Sequence, residues 1–541
     1  MEKNNKYLLL TGIISGVLLW LSWPAKPFTF LIFIALIPLL YISDYCNKHS
    51  VKGASKVFFS VYVAMLIWNS LTSFWIYKAT LPGAIATVIL NSLMMTLPFV
   101  VYHKMQKAFK HEISFAFLVI FWISIEYLFL NWDLAWPWLN LGNVFSETPY
   151  LVQWYEYTGS FGGTLWIWII NISIYKILVS YIGNFGKKSV SDKRKNYLIA
   201  LGFLIIPVVI SLLIKVEPAT EKAQNIVIVQ PNIDPYNEKF AGGTFENQLE
   251  KMLFLTSKEI DSNTMLVVWP ETALSIPFDE ENIKATIYYQ QIENFFAKYP
   301  KASLLTGIDS YRFFEKDEKI STTARFYPYD STYYDAYNAA LLLNPNRDIE
   351  FYHKSILVPG VEKMPYPNIF KFISKLSINL GGTSGSLGKQ EEPSVFKVNE
   401  ELIVAPVICY ESVFGEYVGK FVQKDANILA VITNDGWWGN TPGHRQHFQY
   451  ARLRAIEHRK YVVRSANTGI SGFIDSKGMI LKKTEFWYDD VFKVPVLLDN
   501  TKTFYSINGD YIGRIASFLS VLLILLSFSR KFIKREIPGL G

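Results

Sequence analysis

The sequence predicts a multi-pass α-helical membrane domain of eight helices, with an extracytoplasmic α/β domain inserted before the last of them. Three observations carry this prediction. A mean hydropathy of +0.18 with only 18% charged residues over 541 is too apolar for a wholly soluble chain of this length. The apolar residues are segregated into spans close to the about 20 residues that cross a hydrocarbon core. A stretch of ordinary globular composition, 215–509, separates the seventh span from the eighth.

The spans fall at 7–23, 28–42, 57–76, 84–102, 113–130, 164–179 and 197–214, with the eighth at 511–528. Arg514 interrupts the last near its end, where a long basic side chain reaches the headgroups. The first span has no small-residue cleavage site and is followed at once by others, so it reads as a retained helix. Loop charges orient the set. Lys3 and Lys6 precede the first span, and Lys48, Lys52 and Lys56 follow the second. Lys104, Lys107 and Lys110 follow the fourth, and Lys187, Lys188, Lys193, Arg194 and Lys195 follow the sixth. Arg530, Lys531, Lys534 and Arg535 come after the eighth. The alternate loops hold little beyond Lys26 and Lys78, and 131–163 holds no Lys or Arg. The positive-inside rule then puts both termini in the cytoplasm and the inserted domain outside. The net charge of +7 is thereby an orientation signal and a set of headgroup contacts, not a nucleic-acid surface. The expected division is 1–215 for helices one to seven, 216–510 for the extracytoplasmic domain and 511–541 for helix eight and a cytoplasmic tail.

Within the inserted domain, short β-branched runs at 225–229, 265–268, 303–306, 339–343, 402–408, 428–432 and 461–464 alternate with helical candidates at 247–257, 283–299 and 447–458. Such alternation predicts a layered α/β or α+β domain. Pro218 and Gly381-Gly382 punctuate it, and no internal repeat is visible.

Two cysteines, Cys46 and Cys409, cannot build a disulfide framework or a four-thiolate zinc site. Cys409 ends the apolar run 402–408. A free cysteine is most often a small buried hydrophobe, but an unpaired thiol in an exported domain is a liability unless its reactivity is used, and Cys46 lies across the membrane. Two further groups stand out: Glu271, after the apolar run Met265 to Pro270, and Lys354, inside Tyr352-His353-Lys354-Ser355. Alone, each is more often a surface charge. Glu271 and Cys409 both follow apolar strands, and if those strands are neighbours in one sheet, their side chains meet at its C-terminal edge. His353, His444 and His447 show no metal-ligand spacing, and no cofactor is implied. Glu126 and Lys176 are the clearest charges inside the spans, too few to suggest a transport path.

Taken in order, Trp269-Pro270-Glu271-Thr272, Lys354 with Glu362, Cys409-Tyr410-Glu411 and Thr433-Asn434-Asp435-Gly436-Trp437-Trp438-Gly439 resemble the nitrilase, or carbon-nitrogen hydrolase, superfamily with its Glu-Lys-Cys triad. The resemblance extends to Val229-Gln230-Pro231-Asn232-Ile233 and to the run from Gly443 through His447, Arg452, Arg454, Ala455 and Glu457 to Arg464, Asn467, Thr468 and Gly469. A nitrilase-like domain between a seventh and an eighth membrane helix is similar to the apolipoprotein N-acyltransferases of the bacterial inner membrane, over essentially the whole chain.

That resemblance implies an αββα sandwich in the periplasm and a two-step acyl transfer. Glu271 is the implied general base, Cys409 the nucleophile that forms a thioester with an acyl group of a membrane phospholipid, and Lys354 the oxyanion stabiliser. The implied acceptor is the α-amine of an apolipoprotein's N-terminal diacylglyceryl-cysteine. Glu362 would stand near the triad to orient Lys354 or assist proton transfer, and Tyr410 and Glu411 would shape the pocket behind the nucleophile. The family usually carries a gating Trp soon after its first strand; here the aromatics are Phe240 and Tyr236. Trp437 and Trp438, with the aromatic loop of Trp132, Trp136, Trp138, Trp154 and Tyr155, are candidates to line an acyl groove, and Trp and Tyr also serve simply as interface anchors. Two other readings stay open: a membrane-tethered amidase or ester hydrolase, and a non-enzymatic polytopic binding scaffold.

Overall fold

A computed structural model describes residues 2–50, 52–182, 190–216, 223–241, 243–344, 349–366 and 386–536. Lys187, Lys188, Pro218 and Gly381-Gly382 lie outside the described residues, as do the side chains of Lys3, Lys193, Lys195, Arg530, Lys531, Lys534 and Arg535. The chain divides into two compact units, one of Met1–Phe74, Pro82–Ile214 and Asp510–Gly541, the other of Trp75–Leu81 and Lys215–Gly509.

The first unit is helical. Among the described residues, seven helical segments are long and apolar enough to cross a membrane, and the eighth expected span forms the helix Tyr511–Glu536, apolar over Tyr511–Ser527. A backbone surrounded by lipid must satisfy its own polar groups, which favours helices from such apolar runs. The expected span 28–42 is not one helix. It breaks into Thr29–Leu31, Ile32–Ala35 and Ile37–His49, with Pro38 in the first turn of the last. At the break the Leu36 amide donates to Asn171 Oδ1 at 3.0 Å, and Asn171 Nδ2 donates to the Ile32 carbonyl at 2.9 Å. A neighbouring helix thus satisfies the backbone groups that the break frees.

Glu126, which the sequence marks as an unusual intramembrane charge, is buried as a structural tie. Its Oε1 accepts from Trp122 Nε1 and the Leu141 amide, both at 2.8 Å, and its Oε2 accepts from Thr164 Oγ1 at 2.7 Å. Gly12 and Gly16, one turn apart, let helix Glu2–Ser22 approach helix Gly53–Ser73 closely, since a Cβ at either would run into the Ser60 or Ala64 carbonyl oxygen. Trp138 and Tyr155 of the aromatic loop are buried within this unit. The expected span 57–76 overruns. Its helix ends at Ser73 and a tight turn Phe74–Lys78 follows; Trp75 already belongs to the second unit, where its ring packs 4.7 Å from that of Trp438.

The second unit contains fourteen described strands: β1 Ala223–Gln230, β2 Thr264–Val268, β3 Leu274–Asp279, β4 Ser303–Phe313, β5 Arg325–Tyr327, β6 Thr332–Leu343, β7 Glu350–His353, β8 Phe396–Lys397, β9 Ile403–Ile408, β10 Ile428–Thr433, β11 Tyr461–Ala466, β12 Gly472–Ile474, β13 Ile480–Lys483 and β14 Asp490–Leu497. One sheet runs β14-β1-β2-β4-β6-β5, with β3 on β4 and β7 on β6; the other runs β13-β12-β11-β10-β9-β8. Within them β1, β2 and β4 are parallel, as are β9, β10 and β11.

Strand alternation explains the layering. Val227, Val229, Val267, Leu304, Ala339 and Leu341 pack under helices Phe245–Ser257 and Ile287–Phe296. Their neighbours Ile226, Ile228, Leu266, Leu305 and Leu342 point to the other face and are equally buried, so a second layer must cover them. The six-stranded sheet supplies it: Ser465 Oγ on β11 donates to the Val229 carbonyl on β1 at 2.8 Å. Helix Pro442–His458 packs on this second sheet. Strands buried on both faces read as continuous apolar runs, which is why β2, β9 and β10 were legible while the edge strands β5, β8, β13 and β14, and the three-residue β12, were not.

Candidate active site

Parallel strands bring their C-terminal ends, and the loops that follow, to one edge of each sheet. Glu271 follows β2, Lys354 follows β7 and Cys409 follows β9 directly. The condition that Glu271 and Cys409 ride on neighbouring strands of one sheet does not hold. β2 lies between β1 and β4 and β9 between β8 and β10, in different sheets, and the two side chains reach one cavity from the two layers of the sandwich. That cavity, of about 650 Å³, is lined by Glu271, Lys354, Cys409 and Glu362, and by Phe240, Trp437 and Trp438.

The loop bearing Glu271 is bound to β4: the Trp269 amide donates to the Leu305 carbonyl at 2.9 Å and the Gly307 amide to the Pro270 carbonyl at 3.1 Å. Gly307 has to be glycine, because a Cβ there would collide with the Thr272 amide nitrogen and would lie 2.6 Å from the Glu271 Cα. Gly307→Ala is therefore expected to displace Glu271. The reactivity of the Cys409 thiol toward an alkylating reagent is in turn expected to change while the fold, followed by circular dichroism, is retained.

Lys354 is only 1% exposed. Its Nζ donates to Glu271 Oε1 at 3.1 Å and to Glu362 Oε1 at 2.7 Å. Asn338 Nδ2, on β6, donates to the same two carboxylate oxygens at 2.8 and 2.9 Å. The second Glu362 oxygen accepts from the Val358 amide at 2.8 Å. Two carboxylates thus share one ammonium and one amide, and all four groups are locked in place.

Cys409 has φ of 49°, a left-handed conformation unfavourable for a non-glycine residue and one that persists only where its surroundings enforce it. Here a buried polar cluster does so. Ser412 Oγ lies 2.7 Å from the Cys409 carbonyl oxygen and 2.9 Å from His447 Nε2. His447 Nδ1 donates to Asp435 Oδ1 at 2.9 Å, and Arg464 Nη2 donates to Asp435 Oδ2 at 2.6 Å. Glu411 ties the end of β9 to the Lys354 segment. One of its oxygens accepts from Tyr352 Oη and the Ser355 amide, both at 2.7 Å, and the other from the Ile408 amide at 2.8 Å. Glu411 and Tyr410 do not line the cavity; both are buried behind Cys409.

Burial pushes the Cys409 thiol well up, the Glu271 charge adds to this, and Lys354 opposes it. Burial alone would raise the Glu271 carboxyl, but the Lys354 charge and the Asn338 hydrogen bond hold it below the usual carboxylate range. Desolvation disfavours the Lys354 ammonium, yet Glu271 and Glu362 hold its pKa well above normal. The resting site is thus a neutral thiol beside a carboxylate and an ammonium.

Phe240 stacks on Trp437, with centroids 6.1 Å apart and planes 15° apart, and Tyr236 Oη donates to the Trp437 carbonyl at 2.6 Å. Trp437 and Trp438 are partly buried in this wall. Of the other histidines, His353 pairs with Glu280 at 2.7 Å and His444 stacks on Phe486 with centroids 4.0 Å apart.

Sequence reasoning missed several site residues. Asn338 and Asp309 are polar residues inside otherwise apolar strands, the signal that would have marked them. Lys239 is buried and donates from Nζ to the Glu271 carbonyl at 2.9 Å. Burial lowers it to about 8 and raises Asp309 to about 7.

Residues 226–504, more than half of the chain, match the model of the carbon-nitrogen hydrolase family. The chain belongs to the carbon-nitrogen hydrolase family. Residues 15–173 of this carbon-nitrogen hydrolase match a second model, the apolipoprotein N-acyltransferase N-terminal domain. It is similar over its length to curated apolipoprotein N-acyltransferases. The protein of Chlorobaculum tepidum is 29% identical over 96% of this chain and 96% of its own. Apolipoprotein N-acyltransferase 1 of Treponema denticola is 28% identical over 98% and 99%, and the Geobacter metallireducens protein is 26% identical over 97% and 96%. Among solved structures, Saccharomyces cerevisiae Nit3, a nitrilase-superfamily member, is 14% identical over 54% of this chain and 96% of its own, with a TM-score of 0.36. With its apolar helices, this carbon-nitrogen hydrolase is a bacterial membrane protein.

Proposed function

We propose that this protein is an acyltransferase that moves a fatty acyl chain from a membrane phospholipid to the α-amine of the N-terminal diacylglyceryl-cysteine of apolipoproteins. The observation that carries this reading is the meeting of Glu271, Lys354 and Cys409 in one cavity, in a chain similar end to end to proteins named for that activity. Glu271 takes the Cys409 proton as sulfur attacks the donor ester carbonyl. The Lys354 charge stabilises the tetrahedral oxyanion. The carbonyl–oxygen bond breaks, the proton passes from Glu271 to the departing alkoxide, and a lysophospholipid leaves a thioester on Cys409. The acceptor amine then attacks the thioester and gives up a proton to Glu271, which returns it to the departing Cys409 sulfur. An amide replaces a thioester, so the second step runs downhill without ATP.

In this reading 1–215 and 511–541 are the inner-membrane anchor, with both termini cytoplasmic, and 216–510 is the catalytic domain on the periplasmic side. Both substrates are lipid-anchored, so a membrane-held catalyst raises their effective concentration. The test is intact-mass analysis of the purified full chain given phospholipid, with and without a diacylated lipopeptide. An acyl adduct on Cys409 that passes to the lipopeptide is expected. Release only as free fatty acid would make the protein a hydrolase, and no adduct and no product would overturn the reading.

The two steps should separate with pH. Glu271 is held below the usual carboxylate range, so it stays ionised, and competent as a base, at and above a pH of about 5. The acceptor α-amine has an ordinary pKa of about 8 and loses its nucleophilic form as pH falls. With limiting acceptor, the thioester adduct should therefore accumulate between a pH of about 8 and about 6, seen as a rising acylated fraction by intact mass.

A further inference from the structure

The cavity holds more than the triad end. Alternate residues of adjacent strands run along its floor: Asp309, Tyr311 and Phe313 on β4, and Tyr334, Ala336 and Asn338 on β6. The two strands pair antiparallel, with Asp309 opposite Asn338 and Phe313 opposite Tyr334. β5, the last strand of the sheet, continues the floor outward by setting Arg325 opposite Tyr334. Four residues of strand separate Tyr334 from Asn338, about 13 Å. Arg325 thus stands at the far end of an aromatic trough whose near end is the Glu271–Lys354 pair.

The charges are distributed unevenly. Glu271, Glu362 and Asp309 line the near end, and the Lys354 ammonium there is already shared between Glu271 and Glu362. Among the described residues, Arg325 has no hydrogen-bond or ion-pair partner for its side chain, and its Nη2 is buried without one. Asp330 also lines the cavity, but it is exposed and not within ion-pair distance of Arg325. A buried guanidinium donor left unmatched is costly, and a planar fork of donors beside rings suits a phosphate oxyanion.

We propose that Arg325 binds the phosphodiester of the donor glycerophospholipid and so seats the ester at Cys409. This rests on the transferase reading above. The reacting ester and the phosphate belong to one molecule, so a phosphate held on the Arg325 side of the trough keeps the ester on the Cys409 side. The carboxylates at the near end are met by the buried ammoniums of Lys354 and Lys239, whereas Arg325 at the far end keeps an unmatched donor and attracts the anionic group there. Arg325 is thus a determinant of donor class, selecting esters that carry a phosphate over neutral glycerides.

The test uses the full-length protein in detergent micelles and single-turnover acylation of Cys409, followed by intact mass. Two donors with the same acyl chains are compared, a phosphatidylglycerol and the corresponding diacylglycerol. For Arg325→Gln, the phospholipid concentration giving half-maximal rate should rise about tenfold or more, with the maximal rate little changed. Acylation from diacylglycerol should stay within about twofold. Arg325→Lys, which keeps a charge and loses the fork, should fall between the variant and the unmodified protein.

Equal losses with both donors would show a structural role and overturn the assignment, as would an unchanged phospholipid response. Unchanged acylation with weaker transfer to an acidic lipopeptide, but not to a neutral one, would assign Arg325 to an acceptor carboxylate instead, and overturn it too. If the unmodified protein is acylated equally well by both donors, the transferase reading stands and the phosphate site falls. If neither donor acylates it, both fall.

Discussion

Cys409→Ala is expected to abolish acyl transfer, a loss of at least about 1,000-fold, and with it the mass adduct that the unmodified protein accumulates when donor is supplied alone. The substitution removes only a sulfur atom. Apart from a hydrogen bond between the thiol and Thr433, the restraints around it are made by other groups, since Ser412 lies against the Cys409 carbonyl and Glu411 accepts from the Ile408 amide. The variant should therefore fold, and its far-ultraviolet circular dichroism and melting temperature should stay near those of the parent. Cys409→Ser tests the same point more stringently. An alcohol is far harder to deprotonate than a thiol, so serine in the same strained position should also lack a stable adduct. Normal transfer by either variant would remove Cys409 from the mechanism.

Glu271→Gln should cost about 100- to 10,000-fold in the rate of Cys409 acylation, the range that a positioned general base contributes. Glutamine keeps the shape, and its carbonyl can still accept from Asn338 and Lys354, which now meet Glu271 Oε1 at 2.8 and 3.1 Å. What disappears is the base. The donor concentration giving half-maximal rate should then change little while the maximal rate collapses, a split that rapid-quench acylation measurements resolve. A parallel rise in that concentration would mean that Glu271 serves donor binding instead. Lys354 keeps Glu362 as its counter-ion in the variant, so a loss of charge balance does not confound the result.

Much of this arrangement was readable from the sequence because each part has a local cause. Apolar runs of membrane length mark helices, and β2, β9 and β10 are continuous apolar runs because they are buried on both faces. Glu271 and Cys409 are conspicuous because each closes such a run. What escaped depends on long-range pairing. Nothing local says that β2 and β9 belong to different sheets, or that β14 returns to lie beside β1. Asn338 looks like a misplaced polar residue until its two carboxylate partners, 67 and 24 positions away in sequence, are seen. Gly307 looks like a strand interruption until the Glu271 backbone is found against it. Pro38 marked a helix break only once Asn171 was there to receive the freed Leu36 amide. Helix Pro442–His458 carries no amphipathic stripe because nearly every side is buried and its polar side chains serve the cluster behind Cys409.

The placement of base and nucleophile on separate layers also bears on how the protein is made. Glu271 and Lys354 belong to the first sheet, which emerges early from synthesis, while Cys409 arrives with the second. The first sheet is not finished at that point, since β1 pairs with β14 along its whole length, from Ala223 opposite Leu497 to Gln230 opposite Asp490. A nascent chain halted anywhere before residue 490 therefore has an open strand edge and an incomplete sandwich. A truncated product is thus expected to carry the Cys409 thiol without the completed sandwich around it.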